Sequence, residues 1–261
     1  MNMTWGLNLF SIRNLIDTEE KFADTAKALK EMGYSYIQYS GGPYDPDRIL
    51  RVSQESGLPV VLTHVPYDRI INDTDKLVEE HKSFGCDCIG LGALPLDALT
   101  DEQKFVDTVA AMEKAGARMQ ELGVSFFYHH HHFEFARFGD KTFFDYMVEN
   151  APHINFTLDT YWLQYGGVSI CDTIDRLAGR VGCLHLKDYK TYKYDEGATA
   201  YKPIIAPVGD GNIDFKAVVR HALAAGTKHF LVEQDNAATM PDTLGQVERS
   251  IRYLNKNLAE I

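Results

Sequence analysis

The sequence predicts an α/β fold, a (β/α)8 TIM barrel forming a single domain over residues 1–261. Three observations carry that prediction. Eight short apolar runs alternate with eight amphipathic ones in 261 residues, a length at which one barrel buries a large core. The apolar runs are continuous rather than alternating, as in parallel strands covered by helices. No Gly-x-Gly-x-x-Gly turn follows the first run, which weakens the open dinucleotide-binding sheet as an alternative.

The elements follow in order. A strand at 6–10 leads through the capping candidate Asp17-Thr18-Glu19-Glu20 into a helix at 19–32, which Gly33 ends. The second unit pairs a strand at 34–39 with a helix at 45–56, closed by Gly57, and the third pairs 59–63 with 74–84, closed by Gly85. A strand at 88–92 precedes Thr100-Asp101-Glu102-Gln103, which starts a helix at 101–122 that stops at Gly123. Strands at 124–128 and 154–158 are followed by helices at 142–150 and 170–178. The seventh strand, 182–186, is separated from its helix at 215–225 by the longest connection, 187–212. Gly226 then ends that helix, and a strand at 229–233 and a helix at 241–257 complete the set. The long connection carries Tyr189, Tyr192, Tyr194 and Tyr201 with neighbouring lysines, and is expected to cover an active site.

A net charge of −11 opposes a nucleic-acid or anionic-membrane surface. No apolar run is long enough to span a bilayer, and the start of the chain lacks the pattern of a signal peptide. The expected location is cytoplasmic. Cys86 and Cys88 flank Asp87, while Cys171 and Cys183 stand alone, so the four thiols are read as reduced and mostly buried.

The stretch His129-His130-His131-His132-Phe133-Glu134 sits where the fifth strand ends. Three later runs finish in one metal-competent side chain each: Asp159, His185 and Glu233. In a parallel barrel the strand C-termini converge on one face. Glu134, Asp159, His185 and Glu233 would there form a site of three carboxylates and one imidazole. Such a set suits one divalent metal ion, Mn²⁺ or Mg²⁺ first, with Co²⁺ or Zn²⁺ as alternatives. Each residue has a structural explanation when taken alone: Asp159 can cap the next helix, His185 can pack, and Glu233 can pair with a basic residue. Their joint occurrence at four consecutive strand ends outweighs those explanations.

These segments resemble the sugar phosphate isomerase/epimerase family, within the xylose-isomerase-like TIM-barrel superfamily that also includes ketose 3-epimerases and inosose dehydratases. The likeness runs from Ser35-Tyr36-Ile37-Gln38-Tyr39 through His64-Val65-Pro66-Tyr67 to Val232-Glu233-Gln234-Asp235. Its most specific parts are Tyr128 to Phe135, Leu158-Asp159-Thr160-Tyr161-Trp162, His185-Leu186-Lys187-Asp188 and Gly209-Asp210-Gly211. Where such families carry His-Asn-His-Asp-Phe-Glu-Phe, this chain has His130 and His132 in place of the Asn and the Asp. The resemblance implies a metal held by Glu, Asp, His and Glu. In the ketose epimerases the first glutamate ends strand five itself, near Tyr128 here, so Glu134 must reach back from the loop; otherwise His129 or His131 completes the shell.

The chemistry implied is proton removal beside a carbonyl of a sugar or polyol-derived keto substrate, through an enediolate. Glu233 is one proton-transfer candidate, with Glu134 or His131 opposite it. His64, His129, Trp162 and Lys187 are candidates for substrate contact. Isomerisation or epimerisation is the first expectation. Dehydration or lysis of a keto-inositol or 3-keto-glycoside is the alternative at the same site. A nuclease of this barrel type would need a basic surface and a larger ligand cluster, and a non-catalytic sugar-binding barrel would not require the intact ligand set. The expected partner is a small molecule, with no nucleic acid or membrane, and self-association into a homo-oligomer is left open.

Overall fold

The structure is a computed structural model that describes residues 3–193 and 201–261. Its eight barrel strands are β1 (Gly6–Asn8), β2 (Tyr36–Tyr39), β3 (Val60–His64), β4 (Cys88–Leu91), β5 (Ser125–His129), β6 (Ile154–Asp159), β7 (Cys183–Leu186) and β8 (His229–Val232). Each is parallel to the next, and β8 closes on β1 through the pairs Gly6↔Leu231 and Leu7↔Val232. The eight alternating units therefore form a closed (β/α)8 barrel.

Local chemistry sets the helix ends. Thr18 accepts a hydrogen bond from the Lys21 N–H and starts Glu19–Met32, which buries Phe22, Ala26 and Leu29 and ends at Gly33 with φ 102°. Asp101 does the same for Lys104 at the head of Glu102–Glu121. Three departures from the expected elements have local causes. The first strand stops at Asn8, whose side chain accepts from the Phe10 N–H and turns the chain into a 3-10 helix, Leu9–Leu15. Asp159 caps a short helix, Thr160–Tyr165, immediately after β6. The long connection after β7 folds into an antiparallel hairpin, Asp188–Lys193 with Tyr201–Ala206. Tyr194, one of the tyrosines expected to cover the site, lies outside the described residues.

The base of that hairpin is anchored by one buried carboxylate. Asp188 accepts from the backbone N–H groups of Tyr189, Gly209, Gly211 and Ile213. A β-carbon on Gly211 would collide with the Asp188 side chain, which accounts for glycine there.

The barrel splits its side chains by the two-residue period of a strand. Leu7, Ile37, Ile89, Phe126, Tyr128, Phe156, Leu158, Leu184, Phe230 and Val232 pack outward among the helices in the main core. Tyr36, Leu62, Cys88, Phe127, Cys183 and Leu231 form a second cluster inside the barrel. Full burial of each Leu or Phe in that plug contributes roughly 1.5–3 kcal/mol. One step further along seven of the eight strands the inward positions turn polar, as Asn8, Gln38, His64, His129, Asp159, His185 and Glu233, while β4 has Gly90 there. That change marks the functional end of the barrel. All four cysteines are free thiols, three buried and Cys171 half-buried. Among the described residues no helix is long and apolar enough to cross a membrane.

Candidate metal centre

His129 Nε2 or Nδ1, His185, Asp159 and Glu233 each bring one ligand-competent atom to a common point, all within 4.8 Å of one another. His129 ends β5, Asp159 ends β6, His185 lies in β7 and Glu233 follows β8. All four are buried. In each, one polar atom is tied by a neighbour and the other is left facing the centre.

The imidazoles show this most clearly. Nε2 of His185 lies 2.7 Å from Gln38 Oε1, an acceptor, so Nε2 carries the proton and Nδ1 presents a lone pair. The Gln38 amide in turn donates to His64 Nε2 at 2.9 Å. Nδ1 of His129 donates to the Gly92 carbonyl at 3.1 Å, which leaves its Nε2 bare. Glu233 Oε1 accepts from Asn8 Nδ2 at 2.9 Å, and Asp159 Oδ1 caps the following helix through the Trp162 N–H at 3.0 Å. The four remaining atoms, His129 Nε2, His185 Nδ1, Asp159 Oδ2 and Glu233 Oε2, are buried, and the two carboxylate oxygens among them meet the Lys187 ammonium at 2.9 and 3.2 Å. His185 Nδ1 and Glu233 Oε2 approach to 2.6 Å. Two acceptors at that distance call for a cation or a proton between them. Buried acceptors with their outer atoms fixed by neighbours form the donor set of a metal ion.

Burial keeps His64 and His129 in the neutral form. Burial pulls His64 down to about 3, aided by the neighbouring His185, and drives His129 well below its ordinary value. Burial also raises Asp159 to about 6, against the pull of Lys187 and with the like charge of Glu233. Glu233 resists the same burial because the Lys187 ammonium holds it below the usual carboxylate range. Burial would lower the Lys187 ammonium, yet Asp159, Glu233 and Asp235 together hold it above its ordinary value.

Glu134 stands apart from the convergent group. Its buried carboxylate takes the Tyr128 hydroxyl and, at 2.9 Å, the His131 N–H. Burial raises it to about 7, although both hydrogen bonds oppose the shift. Tyr128 points outward from β5, so Glu134 braces the turn that carries His131 from behind. His130 also faces away: it packs against Phe135 and Phe144 and accepts the Asp159 N–H at 3.1 Å. His132 stacks on Trp162 and meets Tyr165 edge-on.

A cavity of about 580 Å³ opens beside the centre. His64, His129, His131, Lys187, Glu233 and Asp235 line it, with Arg13 and Ser40 toward the mouth. His64 and Lys187, two of the residues expected to contact substrate, both line this cavity. Trp162 forms a wall behind, its ring 5.0 Å from the Lys187 ammonium and 5.3 Å from the His131 ring. A β-carbon on Gly92 would come within 2.9 Å of His64 Nδ1, so glycine there makes room for the imidazole. Asn8, Gln38, Arg13 and Asp235 were not singled out from the sequence. The signal for Asn8, Gln38 and Asp235 is strand parity: each continues the inward series Gly6-Asn8, Tyr36-Gln38 or Leu231-Glu233-Asp235.

Comparison with known proteins agrees with this architecture. The pattern of the xylose isomerase-like TIM barrel family matches residues 26–257. An inosose dehydratase of Clostridium perfringens is 24% identical over 210 residues, 69% of each chain. A sugar phosphate isomerase/epimerase from Parabacteroides distasonis superposes with a TM-score of 0.80 at 19% identity, over 99% of this chain and 95% of that one. A xylose isomerase-like barrel from Mycobacterium smegmatis, solved with magnesium, gives 0.70 at 14% identity over 98% and 96%. The match over most of the chain, on a closed eight-stranded parallel barrel, places this protein in the xylose isomerase-like TIM barrel family.

Proposed function

We propose that this barrel is a metal-dependent enzyme that removes the proton beside the carbonyl of a sugar or polyol-derived keto substrate. The observation that carries the reading is the convergence of four buried acceptor atoms, whose only cationic neighbour among the described residues is Lys187, next to a cavity of sugar size. His129, Asp159, His185 and Glu233 would hold the ion. Two imidazoles with two carboxylates suit Mn²⁺, Co²⁺ or Zn²⁺, and suit Mg²⁺ less than the three-carboxylate set expected from the sequence. When bound, a divalent ion supplies Lewis-acid polarisation of the carbonyl and its adjacent hydroxyl.

The protein groups divide the remaining work. Glu233 is anchored at Oε1 by Asn8 and turns Oε2 toward the cavity, which suits a base held in one orientation. His131, neutral because burial and Lys187 lower it to about 4, faces the cavity from the turn after β5 with Nδ1 unbonded. It is the second proton carrier in this reading, with Glu134 positioning its backbone rather than meeting substrate. Trp162, His64 and Lys187 shape and orient the bound sugar.

Return of the proton to either carbon of the enediol gives epimerisation or isomerisation. Elimination is the second reading. It is favoured by one observation, the Lys187 ammonium among the groups that line the cavity, a fixed cation able to stabilise the charge of a departing hydroxyl. The sequence likeness to inosose dehydratase points the same way. Incubating the manganese- or cobalt-loaded protein with keto sugars and keto-inositols in deuterated water tests both. Deuterium incorporation with an unchanged oxygen count supports isomerisation, and loss of water supports elimination. Absence of both exchange and water loss with every keto substrate refutes the proposal.

A further inference from the structure

Lys187 is 1% exposed, and its ammonium lies 2.9 Å from Asp159 Oδ2, 3.2 Å from Glu233 Oε2 and 3.2 Å from Asp235 Oδ1. The first two oxygens are the ones Asp159 and Glu233 turn toward the metal centre, since their partners are committed to Trp162 and Asn8. A divalent ion binds carboxylate oxygen at about 2.0–2.2 Å. An ammonium kept on the same oxygens would sit on the order of 4 Å from that ion, a repulsion that a buried site screens poorly. Metal and lysine therefore compete for Asp159 and Glu233.

The surroundings supply a second seat. Asp235 follows Glu233 by one inward step of the strand, lines the cavity and is partly open to it. The Trp162 ring flanks the ammonium and accommodates a cation. The charges also fit an exchange. Three carboxylate side chains surround one ammonium. Two negative charges stay unbalanced, the complement of one divalent ion.

Building on the metal reading, we infer that Lys187 is the resident counter-ion of the empty ligand set. Metal entry transfers Asp159 and Glu233 to the ion and leaves Lys187 paired with Asp235 at the cavity. The ammonium already borders the cavity and already touches Asp235, so the exchange leaves it held at the substrate space by Asp235 and couples metal binding to substrate binding. Lys187 acts here as a positioning residue that links the two sites.

Cobalt titration against a competing chelator tests this without reference to turnover. Lys187→Met should bind Co²⁺ at least tenfold more tightly than the wild type, and its metal-free form should melt at a lower temperature. Asp235→Asn should weaken Co²⁺ binding severalfold in the wild-type background and have little effect beside Lys187→Met, because the ammonium that needs the second seat is gone. Lys187→Gln gives the same reading where the methionine variant does not fold. Equal or weaker binding by the lysine variants, or an Asp235→Asn effect of the same size in both backgrounds, overturns the exchange and leaves the metal site standing. Failure of wild type and lysine variants alike to bind Co²⁺ overturns the metal reading as well.

Discussion

Replacing Gln38 with leucine should weaken metal binding ten- to a hundredfold while leaving all four ligand residues in place. Gln38 Oε1 fixes the His185 proton on Nε2, and Gln38 Nε2 meets the lone pair of His64 Nε2. Leucine fills a similar volume and makes neither bond. His185 then loses the acceptor that keeps Nδ1 bare, and partners of this kind typically contribute 10–100-fold to metal affinity, about 1.4–2.7 kcal/mol. Two buried nitrogens also lose their partners, at about 1–3 kcal/mol each, so folding stability should fall by about 2–6 kcal/mol. Cobalt titration reads the first quantity and urea unfolding of the metal-free protein the second. Gln38→Glu separates them: its carboxylate still accepts from His185 but offers no proton to His64. It should regain most of the metal affinity while remaining destabilised. Wild-type cobalt affinity in Gln38→Leu, with only stability reduced, would refute the tautomer argument.

Other changes bear on the same centre. Glu233→Gln keeps the Asn8 contact through its amide oxygen but removes the base, so substrate deuterium exchange should fall at least a hundredfold, measured by NMR; exchange within threefold of wild type counts against that role. His129→Glu restores a three-carboxylate set and should shift metal preference toward Mg²⁺ and Mn²⁺ relative to Zn²⁺, read by competition between ions. An unchanged preference would place His129 outside the ligand shell. Glu134 is raised from 4.5 to about 7, so the folded state holds its proton more tightly. Its stabilising contribution is complete below pH 4.5 and is lost as pH rises through about 7. Glu134→Gln does not titrate, so its stability relative to wild type should improve by up to about 3 kcal/mol between pH 4.5 and 7.5 in urea unfolding. A difference independent of pH rules out the buried, shifted carboxylate.

The barrel was legible because its signals are local and repeated. Capping residues and terminal glycines fix most helix ends to within a residue or two, as at Glu19–Met32 and Gly33. The hairpin after β7 was not legible. Its strands hold tyrosine, lysine and threonine with no apolar alternation, and its anchor, Asp188, gathers backbone N–H groups from 209–213 that only the fold brings near. Asp159, His185 and Glu233 stand out in the sequence because each ends an apolar run. His129 was overshadowed by Glu134, since a carboxylate is the more familiar ligand and the strand was expected to stop at Tyr128. Parity from Phe127, an interior residue, selects His129 and His131 and sends Tyr128 and His130 outward. Gln38 and Asn8 carry no charge and no ligand chemistry of their own, so their part emerges only from the bonds they make.

The histidine run has a consequence for tolerance to error. A strand that slips by one residue exchanges its inner and outer faces. Such a slip in β7 would replace His185 with Leu184 or Leu186, and one in β8 would replace Glu233 with Val232 or Gln234. The centre would be lost in either case. A C-terminal slip in β5 would bring His130 to the place of His129, and a second would bring His131. One corner of the centre thus keeps an imidazole under register shifts that would abolish the others.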